Sequence, residues 1–196
     1  WCDNTPISSL DLEHNTALAS LSCDNTSISS LDLRANTALT ALSCENTSVS
    51  SLDLENNTAI KTLYCSNTSI SSLNLKNNTA LKWFSCSNTL ISSLDLTENT
   101  ALVNLNIDGC PMAYIDLTAN TALTVFSAKG CSYPIPSNAV IFDMSMFEGI
   151  DPKKIKLVSG ANLFDDSTCR FTGITDTVTY TYDCGGTKLT ELNVNS

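Results

Sequence analysis

Cysteine is the residue type whose spacing in this chain most readily suggests chemistry. Five of the nine cysteines recur every 21 residues, at Cys2, Cys23, Cys44, Cys65 and Cys86. A stacked column of thiolates could bind a soft metal ion. No Cys-x-x-Cys pair or clustered histidine accompanies the column, and later copies of the position carry Ile107 and Ala128. Because the position accepts small apolar side chains, we predict a column of buried, unreactive thiols and no metal site.

The other four cysteines leave two disulfides open. Cys110 and Cys131 stand at equivalent turn positions in adjacent repeats, and strands stacked about 4.8 Å apart would bring them within reach of a disulfide. Cys169 and Cys184 lie in the C-terminal segment and could also pair. The total number of cysteines is odd, so at least one thiol stays free or pairs between chains.

A second regular feature is a row of carboxylates with the same period. Its members are Asp11, Asp32, Asp53, Asp95 and Asp116, and Asn74 interrupts the row. If neighbours lie about 4.8 Å apart, like charges should raise one another's pKa and attract cations. A straight row offers roughly two carboxylates per ion, however, whereas calcium takes about six to eight oxygen ligands. We therefore favour the alternative that each carboxylate accepts hydrogen bonds within its own turn.

The sequence lacks the common signatures of catalysis. Nucleophile-elbow, P-loop, zinc-protease and dinucleotide-binding motifs do not occur. His14 is the only histidine, and the other copies fill its position with Ala35, Asn56, Asn77, Glu98 and Ala119. We interpret His14 as a variable surface residue and predict a protein that is not an enzyme and has no cofactor.

An internal repeat of 21 residues positions all of these side chains. One set of triplets consists of Leu10-Asp11-Leu12 and its copies, and a second set, of Leu21-Ser22-Cys23 and its copies, lies halfway between them. Alternation along each triplet predicts a short strand with its leucines inward. Asn-Thr pairs such as Asn25-Thr26 and Asn36-Thr37 mark the turns, where an asparagine amide can satisfy free backbone groups. A unit this short must bury its apolar residues against its neighbours, so stacked coils are expected.

The segment Ile28-x-x-Leu31-x-Leu33-x-x-Asn36 resembles the leucine-rich repeat. A second near-motif begins at Leu18, so that two motifs nest in each 21-residue unit. This nesting resembles a bacterial subclass of leucine-rich repeats found in surface and secreted proteins, including those of gut Firmicutes and Bacteroidetes. The resemblance implies a mostly β fold, a leucine-rich-repeat solenoid with two short parallel strands per coil over residues 1–130. It also implies a secreted or cell-surface location and a binding role, because such repeats are scaffolds for many unrelated partners.

The repeat fails beyond Gly130, and residues 131–196 are predicted to form an irregular, β-rich C-terminal cap. Within this segment the alternating runs 178–182 and 189–194 flank a turn at 185–186, which predicts a β-hairpin. An open end of the solenoid would expose apolar side chains and unpaired strand edges, so we expect this segment to cover that end.

Charge and hydropathy exclude two classes of partner. The chain has 196 residues and a net charge of -10, which disfavours a nucleic acid, and no basic patch with interleaved aromatics offsets that charge. No run of about 18 apolar residues occurs, so we predict no membrane span. Trp1-Cys2 aligns with Ser22-Cys23. The chain therefore starts in mid-coil, and we expect that residues have been trimmed from its N-terminus.

The outward positions beside the cysteine column are mostly small and polar, with two aromatic exceptions. Tyr64 and Trp83 belong to adjacent coils, and exposed aromatic side chains of this kind anchor protein or sugar ligands. We predict a non-catalytic extracellular binding module that recognises a protein or carbohydrate there; the alternative is a structural spacer within a larger surface protein. The predicted ligand-binding residues are Tyr64, Trp83, Thr62, Ser85, Asn104 and Asn106, with Ser66 and Ser87 at the edge.

Overall fold

Six three-residue strands, one per coil, form a continuous parallel sheet. The computed structural model describes residues 1–112, 115–117 and 119–128 and the backbone of six further strands between 141 and 195. In the sheet each strand pairs with the next in the order β1-β2-β3-β4-β5-β6, and Leu21 pairs with Leu42 and Leu42 with Leu63. This constant register confirms the predicted solenoid of 21-residue coils. The strands are β1 Ser20–Ser22, β2 Ala41–Ser43, β3 Thr62–Tyr64, β4 Trp83–Ser85, β5 Asn104–Asn106 and β6 Val125–Ser127.

The second predicted strand of each coil does not form in the described part of the solenoid. The triplet Leu31-Asp32-Leu33 keeps the predicted alternation, with Asp32 exposed and Leu33 buried, but it is not a strand. Here a side chain bonds to the backbone of its own turn: the Asp32 carboxylate accepts a hydrogen bond from the Arg34 backbone N–H at 3.2 Å. Adjacent coils are joined on this side by a backbone hydrogen bond before the triplet, from Ser48 N–H to the Ile28 carbonyl at 2.9 Å.

Stacked columns of apolar side chains fill the interior. The central strand residues Leu42, Leu63 and Phe84 are at most 1% exposed. Burial of one such side chain contributes roughly 1.5–3 kcal/mol, and each coil supplies several. The repeated cysteines of the middle coils, which are Cys23, Cys44, Cys65 and Cys86, are fully buried and free. Their burial confirms the prediction of an internal column of thiols.

Two columns of asparagine hold the turns by different means. The first, after the strands, adopts a positive φ of 54–56°, as at Asn46 and Asn67. In the last described copy Gly109 takes the position with a φ of 67°, which glycine adopts without strain. The second column is buried and uses its amides: Asn57 Nδ2 donates to the Leu33 carbonyl at 3.0 Å and to the Asn36 carbonyl at 2.9 Å. The expectation that amides serve both turns is therefore correct only for the second column, since the first needs a left-handed backbone.

The C-terminal segment contains two antiparallel sheets of three strands each among its described residues. Strands β11 and β12 pair from Thr177 with Asn195 to Asp183 with Leu189, which confirms the predicted hairpin. Strand β12 lies next to β6, the last strand of the parallel sheet. The domain boundary at Gly130 lies outside the described residues, and it remains a prediction. The strands are β7 Ile141–Asp143, β8 Ile155–Ser159, β9 Leu163–Asp165, β10 Arg170–Thr172, β11 Thr177–Asp183 and β12 Leu189–Asn195.

Candidate functional site

The outward side chains of β1 to β6 form one continuous surface, which we call the strand face. In each strand the central residue is buried and its two neighbours are exposed or half-buried, as in Trp83-Phe84-Ser85. The first column of the strand face contains Ser20, Ala41, Thr62, Trp83, Asn104 and Val125. The second column contains Ser22, Ser43, Tyr64, Ser85, Asn106 and Ser127.

Tyr64 and Trp83 are diagonal neighbours on this face. Tyr64 pairs with Ser85 across β3 and β4, and Thr62 pairs with Trp83. The tyrosine is 37% exposed and the tryptophan 41% exposed. Since both point to the same side of the sheet, their rings share one patch of surface. Asn104 and Asn106 lie beside Trp83 and Ser85 on β5, so all six predicted residues occupy one area of three strands.

Two columns of charged residues border the strand face, and sequence reasoning missed both. The position before each strand carries lysine in two adjacent coils, at Lys61 and Lys82, and both are exposed. The third position after the central strand residue is acidic in several coils, as at Asp24, Glu45 and Asp108, but is Ser66 and Ser87 in the coils of β3 and β4. The two coils with the aromatic rings therefore have positive borders, whereas their neighbours have negative ones.

The acidic border serves the backbone and side chains of the next coil. The Asp24 carboxylate accepts hydrogen bonds from the Ser43 hydroxyl at 2.7 Å and the Glu45 backbone N–H at 2.7 Å. One coil earlier, the hydrogen bond from the Ser22 hydroxyl lowers the pKa of Asp3. In the coils of β3 and β4 a hydroxyl pair replaces this contact, with Ser66 Oγ 2.8 Å from Ser85 Oγ.

The aspartate row on the opposite side caps turns, as expected. Asp53 accepts the Glu55 backbone N–H at 3.1 Å, and Asn74 does the same for Lys76 at 3.2 Å. At two members of the row hydrogen bonds lower the pKa: those from Arg34 lower the pKa of Asp32 to about 2, and those from Thr97 lower the pKa of Asp95. No group of three or more potential metal ligands occurs among the residues that the structure describes.

The repeated cysteines of the middle coils are shielded from solvent. Burial raises the pKa of Cys23 to about 12, and the pKa of Cys44 rises for the same reason. Cys110 is fully buried, with its Sγ 3.4 Å from Thr89 Oγ1. Its suggested partner, Cys131, and the pair of Cys169 and Cys184 lie outside the described residues, so both disulfides remain predictions. His14 is exposed at the surface.

This geometry is that of a leucine-rich-repeat solenoid. No family model matches the sequence, and no curated protein matches it. Among solved structures, the fold is similar to the functional domain of InlJ from Listeria monocytogenes, which includes a cysteine ladder, with a TM-score of 0.63 and 18% identity over 96% of this chain and 64% of that one. The internalin InlF from Listeria monocytogenes gives 0.62 and 21% identity over 65% of this chain and 40% of that one.

The chain thus spans less than two thirds of the length of either internalin. At these identities the similarity establishes the fold, and the function must be argued from the side chains of this chain. Within the described residues, no helix is long and apolar enough to cross a membrane.

Proposed function

We propose that this chain is a non-catalytic extracellular binding module of a bacterial secreted or surface protein. Its ligand, a protein or a glycan, binds to the strand face around Tyr64 and Trp83. The observation that carries the proposal is the placement of two partly exposed aromatic side chains on adjacent strands of an otherwise small and polar surface. Exposed aromatic groups on a rigid support anchor ligands at low conformational cost.

A buried side chain and regular strand pairing make the support beneath the rings rigid. Phe84 lies between Trp83 and Ser85 and is 1% exposed. The strands on both sides are paired without a shift in register. A ligand that binds here meets a preformed surface, so little binding energy is spent on ordering it.

The neighbours of the rings supply hydrogen-bonding groups. Thr62, Ser85, Asn104 and Asn106 surround the aromatic pair with hydroxyls and amides. These groups suit a glycan or a protein loop.

The test is a screen of glycan arrays and host-protein arrays with purified protein. We expect the wild-type chain to bind a ligand that a Tyr64→Ala/Trp83→Ala double variant no longer binds. Trp1→Ala is the matched control, because Trp1 is an aromatic residue that is 93% exposed and precedes β1, away from the aromatic pair on β3 and β4. All variants should have the melting temperature of the wild type.

Two results would count against the proposal. A ligand that the double variant binds at full affinity would place the site elsewhere, and the aspartate side would be tested next. A complete lack of ligands in both arrays would favour the alternative of a structural spacer.

A further inference from the structure

The strand face changes the sign of its charge at the aromatic pair. Lys61 and Lys82 precede β3 and β4 on one border of the face. On the other border of the same two coils, Ser66 and Ser87 replace the acidic residues of other coils. These two coils also contain the two aromatic rings. Over the whole chain acids outnumber bases by 20 to 10. A local excess of positive charge on so acidic a protein needs a reason beyond solubility.

The two lysines lie directly above one another at the border of the strand face. The Lys82 backbone N–H donates to the Lys61 carbonyl at 2.8 Å, and the Trp83 N–H donates to the same carbonyl at 3.1 Å. The same pair of hydrogen bonds recurs before each strand from β2 to β6, and the side chains of Lys61 and Lys82 are exposed. Both ammonium groups therefore extend from exposed positions next to the first column of the face.

The other cations of the described solenoid have different surroundings. Arg34 forms an ion pair with Asp32 at 2.6 Å, and Lys76 lies near Asp95, whose pKa is lowered mainly by Thr97 and also by this lysine. The Arg34–Asp32 contact is the one ion pair among the described residues. Lys61 and Lys82 are thus available to a ligand.

We propose that the Tyr64–Trp83 site binds an acidic carbohydrate, whose rings stack on the aromatic side chains while its carboxylate or sulfate groups contact Lys61 and Lys82. This inference rests on the proposed function and specifies the ligand of the same site. The aromatic faces supply stacking, the hydroxyls and amides of the face bind sugar hydroxyls, and the lysines supply charge.

The size of the face favours a carbohydrate over a protein partner. Six three-residue strands span an area of roughly 24 by 10 Å, and a flanking column on each side still leaves it well below the about 800 Å² per partner of a stable protein interface. Apart from the two rings, the outward residues of β3, β4 and β5 are Thr62, Ser85, Asn104 and Asn106, so no apolar pocket receives the anchor residues of a protein. Carboxylates at Asp24, Glu45 and Asp108 would repel an anionic ligand that extends beyond the two coils, which limits the length of the acidic segment.

The experiment measures calorimetric binding of tetragalacturonate and of its methyl ester, which has the same rings without the charge. Sialyllactose and lactose form a second acidic and neutral pair. We expect wild-type protein to prefer the acidic member of at least one pair. A Lys61→Gln/Lys82→Gln variant should bind that acidic sugar roughly five- to tenfold more weakly than the wild type, the range expected for two exposed charge contacts. Raising the ionic strength from 0.05 to 0.3 M should also weaken binding.

Lys76→Gln is the control, because it removes an exposed lysine from the other side of the solenoid. Equal affinity for acidic and neutral sugars, or unchanged affinity in the double lysine variant, would overturn the inference while leaving a strand-face binder intact. Binding of an acidic peptide but of none of these sugars would overturn it as well. Sugar binding that a Tyr64→Ala/Trp83→Ala variant retains would overturn both this inference and the proposed function.

Discussion

The two sides of each coil satisfy their backbones in different ways. On the strand side, backbone groups pair with backbone groups of the next coil, as from Leu42 to Leu63. On the leucine–aspartate side, side chains contribute, because Asn57 Nδ2 binds two carbonyls of the preceding coil and Asp53 caps its own turn. A side chain that serves the backbone cannot vary freely. The strand face is therefore the surface on which this fold tolerates new residues.

The largest effect should come from the buried asparagine column. Asn57→Asp replaces an amide donor with a carboxylate that faces the Leu33 and Asn36 carbonyls, and we expect a loss of about 3–5 kcal/mol in the free energy of unfolding. Asn57→Ala should lose about 1–3 kcal/mol. Urea denaturation measures both, and Glu55→Ala is the control for an exposed side chain of the same turn. Similar stabilities of Asn57→Ala and Glu55→Ala would contradict the assigned role.

The cysteine column should be the next most sensitive. Cys44→Ser places a hydroxyl in a fully buried apolar column and should destabilise the solenoid by about 1–3 kcal/mol. A thiol reagent should leave Cys23, Cys44, Cys65 and Cys86 unmodified in native protein and label them after denaturation. Rapid labelling of all four in the native state would show that the column is accessible.

A smaller effect is expected at the aspartate turns. Asp53→Ala removes the acceptor of one exposed backbone N–H and should cost about 0.5–1 kcal/mol. Asp53→Asn should be nearly neutral, since Asn74 already makes the same contact one coil later. Thermal unfolding distinguishes the two variants, and equal losses would mean that charge rather than hydrogen bonding matters at this position.

Substitutions on the strand face should have the smallest effect on stability. Trp83→Ser gives β4 the residue that β1 has at the same position, Ser20, and we expect a change within about 0.5 kcal/mol. A loss comparable to that of Asn57→Ala would show that the ring belongs to the packed structure and would remove the contrast between the two sides.

The titration of Asp32 provides a local probe of the aspartate side. Its pKa in the folded protein is about 2 because of hydrogen bonds from Arg34, below the value of about 3.9 for an unfolded chain. The contact therefore favours the folded state above pH 4, and this contribution is lost as the pH falls toward 2. Nuclear magnetic resonance titration should show a higher pKa for Asp32 in Arg34→Ala, whereas an unchanged value would refute this cause.

The sequence period was sufficient to predict the solenoid and the buried cysteines, and local alternation around a glycine turn was sufficient to predict the C-terminal hairpin. It could not separate the two triplets, because Leu31-Asp32-Leu33 and Leu42-Ser43-Cys44 alternate alike, and the difference lies in which groups of the next coil come within hydrogen-bonding distance. The two asparagine columns were indistinguishable for a similar reason, since a positive φ leaves no mark on residue type beyond Asn and Gly.

The candidate site was predictable in part. Alternation placed Tyr64 and Trp83 outward, and the structure places them there. The lysines were missed because alternation assigns the residue before Thr62 to the interior, whereas Lys61 lies outside the three-residue strand and is exposed. Whether the residues of this surface bind a ligand depends on the partner, which the chain's own pattern does not encode.

The constant register gives the strand face the properties of a grid. The coil and the column of an outward residue determine its neighbours; those of Trp83 on the adjacent strands are Thr62 and Asn104. Gain or loss of one whole coil by recombination would shift the ends of the molecule relative to the aromatic pair, yet leave the spacing within the pair unchanged. The number of coils and the residues of the strand face can therefore change independently during evolution.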